Sequence, residues 1–190
     1  MSISDARSQM LAELAQGPAR RGYSIAYDLL GNRAEAEEAV QEALVRACEN
    51  ISSLRDPAAA PAWFLRIVTT MCLRTLRRRK LRRLVFGERA VSAPEDRPAP
   101  PAEPTDVASL LHGTDAASPD SALSEQREVA ALMERLDALS AQQRTALVLR
   151  YGHNLGVPEI AELLGVELAT AKTHLVRGLA RLRDLMEEHR

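Results

Sequence analysis

The sequence predicts an all-α protein: two small helical domains joined by a flexible, acidic, proline-rich linker, the second domain carrying a helix-turn-helix. Three observations lead there. Apolar residues make up 46% of the 190 positions but aromatics only 3%, so the cores must be built from Ala, Leu and Val, which favours packed helices over sheets. Six of the ten prolines fall between Pro94 and Pro119 and separate two stretches of helical periodicity. The closing stretch, Glu159 to Arg183, reads as a short helix, a tight turn and a longer basic helix. The divisions are 1–86, 87–124 and 125–190.

The first well-formed helix is "GNRAEAEEAVQEALVRACEN". Asn32 is its N-cap, and Glu35, Glu37 and Glu38 suit the positive end of the helix dipole. Ala36, Ala39, Val40, Ala43, Leu44, Ala47 and Cys48 recur at helical spacing and form a narrow buried face. Glu35, Glu38, Glu42 and Glu49 form a second, acidic stripe. Two readings of that stripe stand side by side: a solvated face, or a docking face for a basic partner.

A proline-bounded loop follows, and Trp63 opens a long helix with Phe64, Ile67, Val68, Met71 and Cys72 on its apolar side. From Arg66 to Arg83 the chain holds Arg66, Arg74, Arg77, Arg78, Arg79, Lys80, Arg82 and Arg83 and no acid. Cations complement the end of a helix dipole. Six basic residues in the seven positions Arg77 to Arg83 exceed that need. Their mutual repulsion is relieved by a polyanion, nucleic acid first and a membrane surface second. From Leu84 to Gln126 the balance reverses, with eight acids against Arg89 and Arg97. A formal net charge of -1 thus conceals a basic block and an acidic tether, and local fields decide what binds. The tether has too little apolar surface to fold alone. It supplies no packing between the folded parts, so these are expected to behave as independent domains.

In the last part Ser140 and Gln143 make a capping box ahead of an amphipathic helix. Pro158 suits the first turn of the next helix. Ile160, Ala161 and Leu164 point inward, and Gly165 fits a turn that requires positive φ. Thr170, Lys172, Thr173, His174 and Arg177 then sit at the start of the last helix, where a helix-turn-helix reaches base edges and phosphates. An ordinary three-helix bundle with a basic surface helix shares much of this outline.

Several classes are excluded. No run of about 18 apolar residues spans a membrane, and the N-terminus lacks a signal-peptide core. Cys48 and Cys72 stand apart without CxxC or Cys/His spacing, which reads as two buried thiols in a reducing, cytoplasmic compartment and no metal site. His112, His153, His174 and His189 are scattered, and no nucleophile–base pair or phosphate loop is present, so neither an enzyme nor a cofactor is expected.

Taken in order, these segments resemble an extracytoplasmic-function sigma factor of the sigma-70 family. "AEAEEAVQEALVRA" is similar to the family's acidic helix D-A-E-D-x-V-Q-E, which grips the clamp coiled coil of RNA polymerase. "AWFLRIVTTMCLRTLRRRK" resembles the W-L-x-R-I-x-x-N stretch that packs on the core and meets the -10 element. Residues Leu136 to Arg183 resemble the -35-reading domain almost end to end. The resemblance implies that Glu35, Glu38, Gln41 and Glu42 dock the β′ clamp. It implies that Arg66, Thr70, Arg74, Arg77 and Arg78, with the loop before Trp63, face -10 DNA. Thr170, Lys172, Thr173, His174 and Arg177 read the -35 element, and an anti-sigma factor is the implied inhibitor. With few aromatics for wedging bases apart, melting relies on capturing a base in that loop. The sequence departs from the family at Thr70 (Asn), Arg74 (Asp), Ser140 (Pro), Glu167 (Ser), Ala171 (Val) and His174 (Arg). "TAKTH" also resembles the T-V-K-x-H of LuxR-type regulators, which supplies the alternative of a stand-alone helix-turn-helix regulator.

Overall fold

The computed structural model describes residues 3–86 and 135–187. The interval assigned to the linker, 87–124, lies outside the described residues. Helix α1 (Ile3–Leu30) leads by a two-residue turn into α2 (Arg33–Asn50). Two 3-10 turns, Ile51–Ser53 and Pro57–Ala59, connect to α3 (Ala60–Phe86). The second part comprises α4 (Ala141–Leu147), a π turn (Val148–Gly152), α5 (Val157–Leu164) and α6 (Leu168–Glu187). No strand occurs among the described residues, in keeping with the all-α reading.

The caps expected from sequence are present, and a further one that the sequence reading did not single out, at Gly31, joins them. Gly31 ends α1 at φ 64°, donating its N–H to the Tyr27 carbonyl at 2.7 Å. Asn32 then caps α2, its Oδ1 accepting from the Glu35 N–H at 3.0 Å. Ser140 and Gln143 form the reciprocal capping box of α4. Pro158 lies in the first turn of α5, and Gly165 ends that helix in the left-handed region at φ 66°.

Helices α1, α2 and α3 pack as a bundle around Leu14, Ile25, Leu29, Ala36, Ala43, Phe64, Val68 and Cys72, each at most 1% exposed. Gly22 lets α1 approach α3 closely, because a Cβ there would lie 3.1 Å from a Val68 methyl. The buried face of α2 is narrower than its apolar spacing suggested. Ala36, Ala39, Val40, Ala43 and Ala47 are buried, Leu44 is half-buried, and Cys48 is exposed. The expectation of two buried thiols is therefore corrected to one. Cys48 lies beside Ala47 on the helix circumference, past the reach of the neighbouring helices, whereas Cys72 faces the bundle centre.

The second part repeats this logic around Leu147, Leu149, Ile160 and Ala171. Gly178 lets α6 cross α4, since a Cβ there would meet Leu147 at 3.2 Å.

The expectation that the two parts carry no packing between them is also corrected. Helix α3 packs against α4 and α5, and α1 against the π turn. The buried apolar residues of both parts join in one cluster. Polar contacts close the seam. Arg83 Nη2 lies 2.6 Å from Asp137 Oδ2, and Asp137 also holds the buried Arg144. His153 Nε2 lies 3.0 Å from Asp28 Oδ2, both side chains nearly buried, at an angle outside hydrogen-bond geometry. Sequence reasoning missed this seam because its partners stand too far apart in the chain to share any periodicity.

Candidate nucleic-acid interface

Three surfaces carry the residues singled out above. The first is the exposed side of α2. Glu38 and Gln41 are solvent-facing. Glu42 is exposed and accepts from Arg46 Nη2 at 2.6 Å and Nε at 3.0 Å, so its charge is partly answered within the helix. Glu35 differs. Its carboxylate is engaged by Arg79 of α3, whose guanidinium also donates to the Leu30 carbonyl at 2.7 Å. One cation thus joins the end of α1, the start of α2 and the last third of α3. An exposed valine, Val45, sits among the acids one turn beyond Gln41 and Glu42.

The second surface is the outer side of α3. Arg66, Thr70 and Arg74 recur every four residues, and Arg77 and Arg78 continue the line, as one helix face requires. The four arginines are exposed and Thr70 is half-buried, its hydroxyl donating to the Arg66 carbonyl at 2.8 Å. Arg79 and Arg83 leave this group. They look identical to their neighbours in the sequence, yet they point inward to Glu35 and Asp137. The loop before Trp63 is built rather than slack. Asp56 Oδ1 accepts from the Ala58 N–H at 2.9 Å and sets the turn that starts α3.

The third surface is the first half of α6. Thr170, Lys172, Thr173 and Arg177 are exposed and share one side. The Thr173 hydroxyl donates to the Ala169 carbonyl at 2.9 Å. His174 is half-buried with Nε2 unpartnered. Burial first, and the neighbouring Arg177 charge second, hold its pKa below the ordinary imidazole value. It is therefore a neutral donor–acceptor at neutral pH, unlike an arginine at that position. Glu167, immediately before α6, places a carboxylate at the positive helix end.

The second surface reaches the turn that precedes the third. A Cβ on Gly165, in the turn between α5 and α6, would lie 3.0 Å from Arg66 Nη2. Among the described residues no group of three His, Cys, Asp or Glu could hold a metal, and no helix is long and apolar enough to cross a membrane.

Comparison with known proteins matches each part separately. Residues 18–82 match the family described as Sigma-70 region 2, and residues 130–182 match Sigma-70, region 4. The ECF RNA polymerase sigma factor SigE of Mycolicibacterium smegmatis is 33% identical over 93% of this chain and 62% of its own length. The chain thus spans just under two thirds of that relative. The ECF RNA polymerase sigma factor SigW of Bacillus subtilis is 28% identical over 87% of this chain and 83% of its own length. Among solved structures, the sigma factor RpoE in complex with the anti-sigma factor NepR from Bartonella quintana superposes with a TM-score of 0.58. It covers 94% of this chain and 97% of that one at 21% identity, a likeness of fold. A LuxR-type reading leaves the match over residues 18–82 without an account, so the alternative of a stand-alone regulator is not favoured.

Proposed function

Because the chain belongs to the sigma-70 family, in its extracytoplasmic-function group, we propose that it directs core RNA polymerase to promoters through the three surfaces just described. The exposed acids of α2 dock the basic clamp of the β′ subunit. Glu38 and Gln41 make that contact directly, Glu42 shares its charge with Arg46, and Glu35 acts from behind by fixing α2 on α3 through Arg79. Docking by exposed charge favours fast, salt-sensitive encounter.

The line of Arg66, Thr70, Arg74, Arg77 and Arg78 faces the -10 DNA. Its arginines neutralise phosphates, and the loop capped by Asp56 is where a flipped base would be held. Thr170, Lys172, Thr173, His174 and Arg177 read the -35 element from the major groove. The chain needs no chemistry of its own in this role, since binding energy is spent on opening the duplex. An anti-sigma factor is the expected antagonist. The domain limits 1–86 and 125–190, and a cytoplasmic location, follow from the same reading.

The single observation that carries the proposal is the pairing of an acidic exposed face on α2 with a basic exposed line on α3 in one packed bundle. That arrangement suits a partner that brings DNA with it. Run-off transcription with purified core polymerase on a promoter library tests it. Initiation that depends on the added chain is the expected result. Initiation that also requires a second sigma factor would return the chain to the regulator class.

A further inference from the structure

We propose that Arg74 reads a guanine in the -10 element while Arg66, Arg77 and Arg78 hold phosphates, so that the chain selects promoters carrying that guanine. The inference rests on the reading of α3 as the -10 surface and names what that surface selects. Helix geometry makes the case. With Arg66 as zero and about 100° per residue, Arg77 falls at about 20°, Thr70 at about 40°, Arg74 at about 80° and Arg78 at about 120° round α3. Arg66 and Arg77 thus stand along one edge of the exposed line and Arg78 along the other. A duplex groove carries phosphates on both rims and base edges on its floor. The outer positions therefore suit phosphates, and the middle ones, Thr70 and Arg74, suit bases.

Of the two middle residues only Arg74 has donors to offer. The half-buried Thr70 gives its one hydroxyl proton to the Arg66 carbonyl at 2.8 Å. Arg74 is exposed, and among the described residues no hydrogen bond or ion pair engages it. In this it differs from Arg79 and Arg83, which Glu35 and Asp137 draw inward. The stretch from Arg66 to Arg83 holds no acid to intercept its guanidinium. A planar fork of donors without an acceptor matches a base edge that offers two acceptors side by side. Guanine presents O6 and N7 in that way, whereas adenine pairs N7 with an amino donor, thymine offers one carbonyl and cytosine only an amino donor. Both guanine atoms lie on the major-groove edge, outside the base pair, so they stay accessible before and after the strands part. The short Thr70 beside Arg74 leaves room for the base to approach the helix.

The test is run-off transcription by the full chain with core polymerase, on promoters randomised across the -10 element. Guanine at one position should be favoured about 5- to 150-fold, the discrimination a bidentate pair gives. Arg74→Ala should erase that preference and leave the other positions as they were. Arg77→Ala should lower output on all promoters alike. Arg74→Gln should move the preference to adenine, whose edge a glutamine matches, a gain that a merely structural role cannot produce. On a single promoter, 7-deazaguanine at that position removes the N7 acceptor and should reduce output from the unmodified chain but not from Arg74→Ala. Inosine keeps O6 and N7 and should serve as guanine does. Circular dichroism checks that each variant retains its helices. No initiation by the unmodified chain on any promoter would sink the sigma reading and this inference with it. Initiation without a guanine preference, a preference that survives Arg74→Ala, or an Arg74→Ala loss equal on every promoter would overturn the role of Arg74 and leave the sigma reading standing.

Discussion

Replacing Arg79 should unfold the first bundle more easily, whereas replacing its neighbour Arg78 should not. Arg79 donates to the Leu30 carbonyl at 2.7 Å and pairs with Glu35, the two side chains being 20% and 32% exposed. A hydrogen bond to a charged group contributes about 1.5–3 kcal/mol, and the residual exposure discounts the Glu35 contact toward the lower end. Arg79→Ala should then cost about 2–3 kcal/mol. For a chain of this size each kcal/mol moves Tm by about 2–4 °C, so the first part should melt about 4–12 °C lower. Arg79→Lys keeps one partner but not both, because an ammonium lacks the planar fork, and should lose about half as much. Arg78 is exposed, and Arg78→Ala should stay within about 0.5 kcal/mol while weakening promoter melting read by permanganate footprinting. Thermal and urea unfolding followed at 222 nm measures the first quantity. Glu35→Gln in an Arg79→Ala background should add little, as a double-mutant cycle requires of a shared contact. If Arg79→Ala melts with the unmodified protein and instead impairs DNA opening as Arg78→Ala does, the inward role of Arg79 is wrong and the whole basic run faces DNA.

Three further outcomes follow from the same geometry. Glu38→Lys should weaken core binding in a pull-down more than Glu42→Lys, because Arg46 already shares the Glu42 charge; equal or absent losses would return the α2 stripe to a plain solvated face. Lys172→Ala should reduce the salt slope of -35 duplex binding by about one, the signature of a single lost phosphate contact, while His174→Ala should shift base preference in a gel-shift selection with little change in slope. Of the two cysteines, Cys48 should react rapidly with a thiol reagent and Cys72 only on unfolding. Burial pushes the Cys72 pKa from 9.0 up to about 12; its thiol therefore stays protonated in the folded state while the unfolded chain ionises, so stability is intact below pH 9 and declines as pH rises toward 12. A Cys72→Ser variant that shows the same alkaline decline would assign it to another group.

The sequence by itself determined several features whose partners lie within one helical turn. Asn32 as a cap, the Ser140–Gln143 box, Pro158 at a helix start and Gly165 at positive φ all involve contacts three or four residues apart. Helical period likewise announced the buried sides of α3 and α5, the arrangement of charge announced an acidic face and a basic line, and the resemblance of three stretches in order to known motifs announced the family. What only the tertiary structure decided are the pairings across long chain separations. Arg79 with Glu35 and Arg83 with Asp137 bridge 44 and 54 residues. In the sequence those two arginines cannot be told from Arg77 and Arg78, because a run of like residues carries no mark of which members turn inward. The same holds for Asp28 and His153, and for Cys48 against Cys72. Which side of a helix meets a neighbour follows from periodicity, but how far the neighbour reaches around it, and whether two domains close on each other, depends on shapes that exist only once the chain has folded.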